Sequence, residues 1–113
     1  MSQPEELSSS PPLSSALFSD EAIDKVGRTL ADEGAPLAER FRAVFTLRNI
    51  PNSQRAIDAL IAGMKSDSAL LKHEIAYVLG QIGDPYSVPF LSTVLANTEE
   101  DTMVRHEAGE ALG

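Results

Sequence analysis

The chain has 113 residues, no Cys, and 9 Lys and Arg against 17 Asp and Glu, a formal charge of −8. That length suits one small domain, which buries about 60–68% of the surface its unfolded chain exposes. The composition excludes disulfides, thiolate metal sites and a Cys nucleophile, and an acidic surface repels phosphate backbones, so no nucleic-acid partner is expected.

No apolar run approaches the ~18 residues that a membrane span needs, so no membrane partner is expected. The first basic residue is Lys25, which gives the start neither the positive opening of a secretory signal nor the Arg content of a transit peptide. A cytoplasmic setting is the expectation. Residues 1–18 are rich in Ser and Pro and poor in large apolar groups. They cannot bury enough to offset ordering entropy, so they read as a disordered tail in front of a domain over 19–113.

From Ser19 the elements are all helices. Ser19-Asp20-Glu21 is a cap with acids in the first turn, Ile23, Val26 and Leu30 follow at helical spacing, and Gly34 stops the run. Pro36 opens a second helix carrying Leu37, Phe41, Val44, Phe45 and Leu47, and Pro51 ends it. A third runs from about Asn52 or Ser53 to Lys65, with Ile57, Leu60, Ile61 and Met64 as its stripe. The fourth covers Ala69 to Gln81 and ends near Gly83. Asp84-Pro85 caps a fifth, which passes through Val88, Leu91, Val94 and Leu95 with Pro89 near its first turn. Asp101 or Thr102 starts a sixth, which reaches Gly113. No segment alternates with period two, so no sheet is expected.

The stretches "LKHEIAYVLG" and "VRHEAGEALG" are copies of one another, with His73-Glu74 and His106-Glu107 33 residues apart. In that register Lys72 matches Arg105, Ala76 matches Gly109, Leu79 matches Leu112 and Gly80 matches Gly113. "RFRAVFTLRNI" fits the same frame with an offset of 32, Leu47 matching Leu79 and Ile50 matching Ile82, but with Phe41-Arg42 in place of His-Glu. A period near 33 with two helices per unit marks an α-solenoid, here of about three helix pairs over 21–50, 53–83 and 85–113.

Neighbouring repeats place equivalent helix positions about 8–10 Å apart. Two imidazoles and two carboxylates from His73, Glu74, His106 and Glu107 are then expected to converge. Nitrogen and oxygen donors of this kind suit iron, manganese or zinc. A duplicated, solvated helix position produces the same spacing, and both readings stand at this point. His106 and Glu110 are i and i+4, so Glu110 can orient the imidazole or receive a substrate ammonium, as against being a plain exposed helix Glu. Tyr77 follows His73 by four residues and reads first as an aromatic packed between repeats. Gly80 and Gly109 read as close packing contacts. No phosphate-cradling Gly-rich loop or Gly-x-Ser-x-Gly elbow is present.

"DSALLKHEIAYVLGQIGD" and "MVRHEAGEALG" resemble the first two His-Glu motifs of the deoxyhypusine hydroxylase family. "ERFRAVFTLRNI" resembles that family's first, metal-free repeat, so the resemblance covers about Leu37 to Gly113. It implies a solenoid of HEAT repeats carrying a centre of two Fe(2+) ions. It also implies hydroxylation of the deoxyhypusine side chain of translation initiation factor five-A to give hypusine, with consumption of dioxygen and a reductant. By matching motif His73, Glu74, His106 and Glu107 become iron ligands, and Glu110, in the string "HEAGE", a contact for the substrate amine. The family uses four His-Glu motifs and this chain supplies two. The expectation is therefore the N-terminal part of a longer protein, whose missing C-terminal half, or a second copy of this chain, completes the site. The alternatives are a non-catalytic helical-repeat scaffold that binds a protein, and a metal enzyme of another reaction type such as a zinc hydrolase.

Overall fold

The computed structural model describes residues 18–113. The tail expected over 1–18 lies outside the described residues except for Phe18, which packs against the core and so belongs with the domain. Six α-helices follow: α1 (Asp20–Ala31), α2 (Leu37–Arg48), α3 (Gln54–Gly63), α4 (Ala69–Ile82), α5 (Val88–Ala96) and α6 (Thr102–Leu112). A single 3-10 turn, Pro85–Ser87, precedes α5. There is no strand among the described residues, as the absence of period-two alternation predicts.

The helix starts are chemical. Ser19, Ser53 and Ser68 each accept a hydrogen bond at Oγ from the backbone N–H three residues on, at 3.0–3.1 Å. Asp101 does the same for Met103 and Val104. Each such cap satisfies N–H groups that the first helical turn leaves without partners. Gly83 closes α4 in the left-handed region at φ +67, donating its N–H to Leu79 O at 3.0 Å. A side chain is strained at that angle, which is why the helix stops on Gly.

One expectation needs correcting. The fifth helix does not run straight from the Asp84-Pro85 cap. Pro89 has no N–H, so an α-helix begun at Pro85 would lack its bond from residue 89 to Pro85 O. Val88 N–H takes that carbonyl instead, which makes a 3-10 turn, and the α-helix begins at Val88 with Pro89 in its first turn.

The helices pair as α1 with α2, α3 with α4, and α5 with α6, and the pairs stack. In one layer α2, α4 and α6 lie side by side; in the other α1 packs on α3. Between α3 and α5 runs a groove whose apolar lining includes Ile61, Met64, Phe90 and Val94. The core between the layers is formed by Leu30, Val44, Leu47, Leu60, Leu71, Ile75, Val78, Leu79 and Val104, all essentially without solvent contact. Each such side chain stabilises the fold by about 1.5–3 kcal/mol through burial. Leu37 and Phe45, part of the expected apolar set of α2, are 42% and 39% exposed and lie outside the buried core. They sit on the face of the helix turned away from that core.

A second repeated device lies beneath the leucines. Arg40 is buried and donates from Nε to Leu30 O at 2.9 Å. Arg105 donates from Nε to Leu95 O at 3.1 Å, over the same sequence separation of 10. In each case a guanidinium on the second helix of a pair meets a free carbonyl near the C-terminal end of the first, where a cation is favoured. Lys72 stands at the equivalent place in the middle pair and reaches Glu100 Oε1 at 2.7 Å, in the loop before α6.

Candidate functional site

His73 is the fifth residue of α4 and His106 the fifth of α6. The helices start from matching caps, so the two motifs stand at the same depth. The close contact they make is nevertheless diagonal. His73 Nε2 lies 3.0 Å from Glu107 Oε1, with the two side chains 33% and 16% exposed. The imidazole of one repeat meets the carboxylate of the next. Residues adjacent on a helix diverge by about 100°, so when His73 faces α6, His106 on α6 points elsewhere and its neighbour Glu107 turns back toward α4. His106 is exposed and Glu74 half-buried. The expected convergence of all four groups is not formed within this chain: among the described residues no three His, Asp, Glu or Cys side chains come together as a metal site.

The pair that does form has suitable chemistry for a metal ion. Two donors at about 2.1 Å from one ion, roughly at right angles, lie about 3.0 Å apart. Nε2 and Oε1 already have that separation. When Nε2 carries a proton the contact is a hydrogen bond; a metal ion would take the proton's place. His73 and Glu107 thus fit as two donors of a larger set.

Beside the pair, between α4 and α6, lies an open groove of about 300 Å³ lined by Tyr77, Gly80, Gln81, Glu107, Glu110 and Ala111. Glu107 belongs to both the pair and the groove. Glu110 is exposed on the groove wall, one turn beyond Glu107 on α6. It makes no hydrogen bond to His106, so it does not orient that ring; among the described residues its carboxylate has no hydrogen-bond or ion-pair partner. Tyr77 is not packed between repeats. It is 45% exposed and its hydroxyl accepts from Gln81 Nε2 at 3.2 Å. Gln81 Oε1 in turn accepts from Arg48 of α2 at 3.2 Å. Arg can only donate, which fixes the orientation of the Gln81 amide and leaves the Tyr77 proton free to donate elsewhere. Sequence reasoning passed over Arg48 and Gln81. The available signal was spacing, since Gln81 stands four residues after Tyr77 and eight after His73, on one helix face.

The perturbed titratable groups lie elsewhere. The hydrogen bond from Arg55 holds the Asp24 carboxyl below its ordinary range, and the hydrogen bond to Asp58 holds the Tyr86 phenol above its own. Both pairs sit on α1, α3 and the 3-10 turn, where they tie elements together.

The HEAT repeats family matches residues 23–113, and the chain belongs to it. Within that family its relatives are deoxyhypusine hydroxylases. The chain is 50% identical to the deoxyhypusine hydroxylase of Gallus gallus and 48% identical to that of Homo sapiens, in each case over 86% of its own length and 32% of the relative's. With that of Neosartorya fischeri it shares 50% identity over 83% of its length and 30% of the relative's. The solved structure of human deoxyhypusine hydroxylase in complex with glycerol superimposes with a TM-score of 0.81 at 47% identity, covering 86% of this chain and 33% of that one. The chain thus spans about a third of the length of the proteins it matches.

Proposed function

We propose that this chain is the N-terminal, metal-holding portion of a deoxyhypusine hydroxylase. The observation that carries the reading is the His73–Glu107 contact across two stacked repeats, in a chain about half identical to enzymes of that name. Its protein substrate is then the deoxyhypusine-bearing translation initiation factor five-A, its co-substrates dioxygen and a reductant, and its setting the cytoplasm. Hydroxylation converts one C–H of the side chain to C–OH, sends the second oxygen atom to water and draws two electrons from the reductant.

The cofactor in this reading is a pair of Fe(2+) ions in the complete protein, and it supplies the oxygen chemistry. His73 and Glu107 hold metal from this chain. His106 and Glu74 are the further ligands, completed by groups outside the chain. Glu110 receives the cationic amine of the substrate. The groove keeps one side of Glu107 open to a long unbranched chain, and the acidic charge of −8 steers a cationic substrate toward it.

The test is metal analysis and product formation on the full-length, iron-loaded protein. About two irons per protein and hydroxylation of deoxyhypusine are expected. His73→Ala and Glu107→Ala should each lower iron affinity by about 10- to 100-fold or more and abolish product. Iron content and turnover that are indifferent to both substitutions would sink the reading, and binding of a protein partner without any metal dependence would favour a scaffold.

A further inference from the structure

Residues 40, 72 and 105 hold one register position, each immediately before the motif position at 41, 73 or 106. Arg40 and Arg105 reach back, to a carbonyl near the end of the first helix of their own pair. Lys72 does not. The carbonyl ten residues before it, Ala62 O, already accepts from Lys65 N–H at 3.3 Å, where α3 closes in a tight turn. Lys72 reaches forward instead, its Nζ 2.7 Å from Glu100 Oε1, with the two side chains 16% and 13% exposed.

The same oxygen of Glu100 accepts the backbone N–H of Asp101 at 2.7 Å. Asp101 is the cap of α6, its Oδ1 taking the N–H groups of Met103 and Val104. One carboxylate oxygen therefore fastens the start of α6 to the residue before His73. Glu107 stands six residues beyond that cap, about 9 Å along the helix axis. Apolar packing is non-directional, so buried groups such as Val104 and Ala108 do not by themselves set how far α6 slides or turns on α4. An error of one residue would swing Glu107 about 100° away from His73. A buried ion pair adds little net stability, and its best use is to specify register.

We propose that Lys72 and Glu100 are a positioning pair, whose contact sets the depth and rotation of α6 on α4 and so holds Glu107 against His73. The use of His73 and Glu107 for iron rests on the function proposed above.

The experiment compares five full-length proteins: wild type, Lys72→Met, Glu100→Gln, the double variant of those two, and Lys65→Met. Lys65 is a control for charge; it lines the same outer groove as Glu100 and makes no ion pair among the described residues. Two quantities are read. One is iron affinity. The other, in metal-free protein, is the NMR signal of the His73 Nε2 proton bonded to a carboxylate, assigned by its loss in His73→Gln. Both single variants and the double variant are expected to weaken iron binding about 10-fold and to lose that ring proton. The double variant should lose no more than either single one, because one contact is removed once. It should keep Tm within about 4 °C of the wild type, since both charges leave together. Lys65→Met should leave both quantities unchanged.

Charge alone forecasts otherwise. Removing Lys72 takes a positive charge from beside the iron and tightens its binding, removing Glu100 loosens it, and the double variant, with no net change, leaves it unaltered. Affinities that follow this pattern overturn the proposal, as does a double variant in which either quantity matches the wild type. A double variant that does not fold overturns it too, since the pair then holds the fold and not the register. Should the wild type bind no iron, the function proposed above falls and the ring proton decides the positioning alone: lost in the double variant, the proposal stands; kept there, or absent from the wild type, it falls.

Discussion

α2 against α4 and α4 against α6 are two stackings of the same kind of helix on the same kind of core. Leu47 and Leu79 hold equivalent places and both are buried. The rims differ. At the first joint the motif position is Phe41-Arg42, and the place of Gly80 is taken by Arg48, whose guanidinium lies over the Phe45 ring and hydrogen-bonds Gln81. In the repeat register Val78 holds at the first joint the place that Ala111 holds at the second. At the second joint Gly80 faces Ala111, and α4 and α6 touch over more of their length than α2 and α4 do. Large groups occupy the rim of the first joint; small ones allow a close approach at the second. The lesson is that the buried leucines set the stacking, while a few rim residues decide whether a joint only packs or also brings donors together.

The largest effect should fall on what the joints share. Leu47→Ala and Leu79→Ala are each expected to cost about 2–5 kcal/mol, measured by urea unfolding. If one cost several times the other, the claim of a common core would break. Next come the guanidinium ties. Arg40→Met leaves Leu30 O without its donor in a buried setting and should cost about 1–3 kcal/mol, whereas Arg105→Met, at a more exposed bond, should cost about 1 kcal/mol or less. Equal losses would mean that burial does not separate the two.

The smallest effect is a pH dependence confined to the first pair. The hydrogen bond from Arg40 holds the Glu33 carboxyl below its ordinary value of 4.5. A carboxyl lowered in the folded state contributes stability that is fully present above its unfolded value and is lost as pH falls through the folded value. Thermal unfolding from pH 6 to pH 2 should therefore show a slightly steeper acid loss in the wild type than in Glu33→Gln. Parallel curves would remove this contribution.

Much of this was readable from residues alone. The helices, their Ser and Asp caps, the stop at Gly83 and the period of 33 follow from local chemistry, and local chemistry is what a sequence displays. The diagonal pairing was not readable. It depends on how far one helix turns relative to its neighbour, and a register of identical letters suggests like meeting like. His73 instead reaches Glu107, 34 residues on, because a one-residue step on a helix is a change of direction. Arg40 escaped for a related reason. A lone Arg reads as surface until the carbonyl it serves is known, and that carbonyl belongs to another helix. The delayed start of α5 was legible in principle from Pro89, since the missing N–H names the carbonyl that goes unpaired.

The guanidinium ties of Arg40 and Arg105 both stay within their own helix pair, joining its second helix to the end of its first. A pair sealed in this way carries its own fastening. It can be copied whole into a longer gene without leaving a carbonyl stranded at the seam, and only rim residues such as those at 41, 73 and 106 need diverge afterwards. Lys72 is the exception, fastening the middle pair forward to Glu100. The two pairs that carry His-Glu are thereby tied to one another by a charge at the very position that closes the outer pairs on themselves.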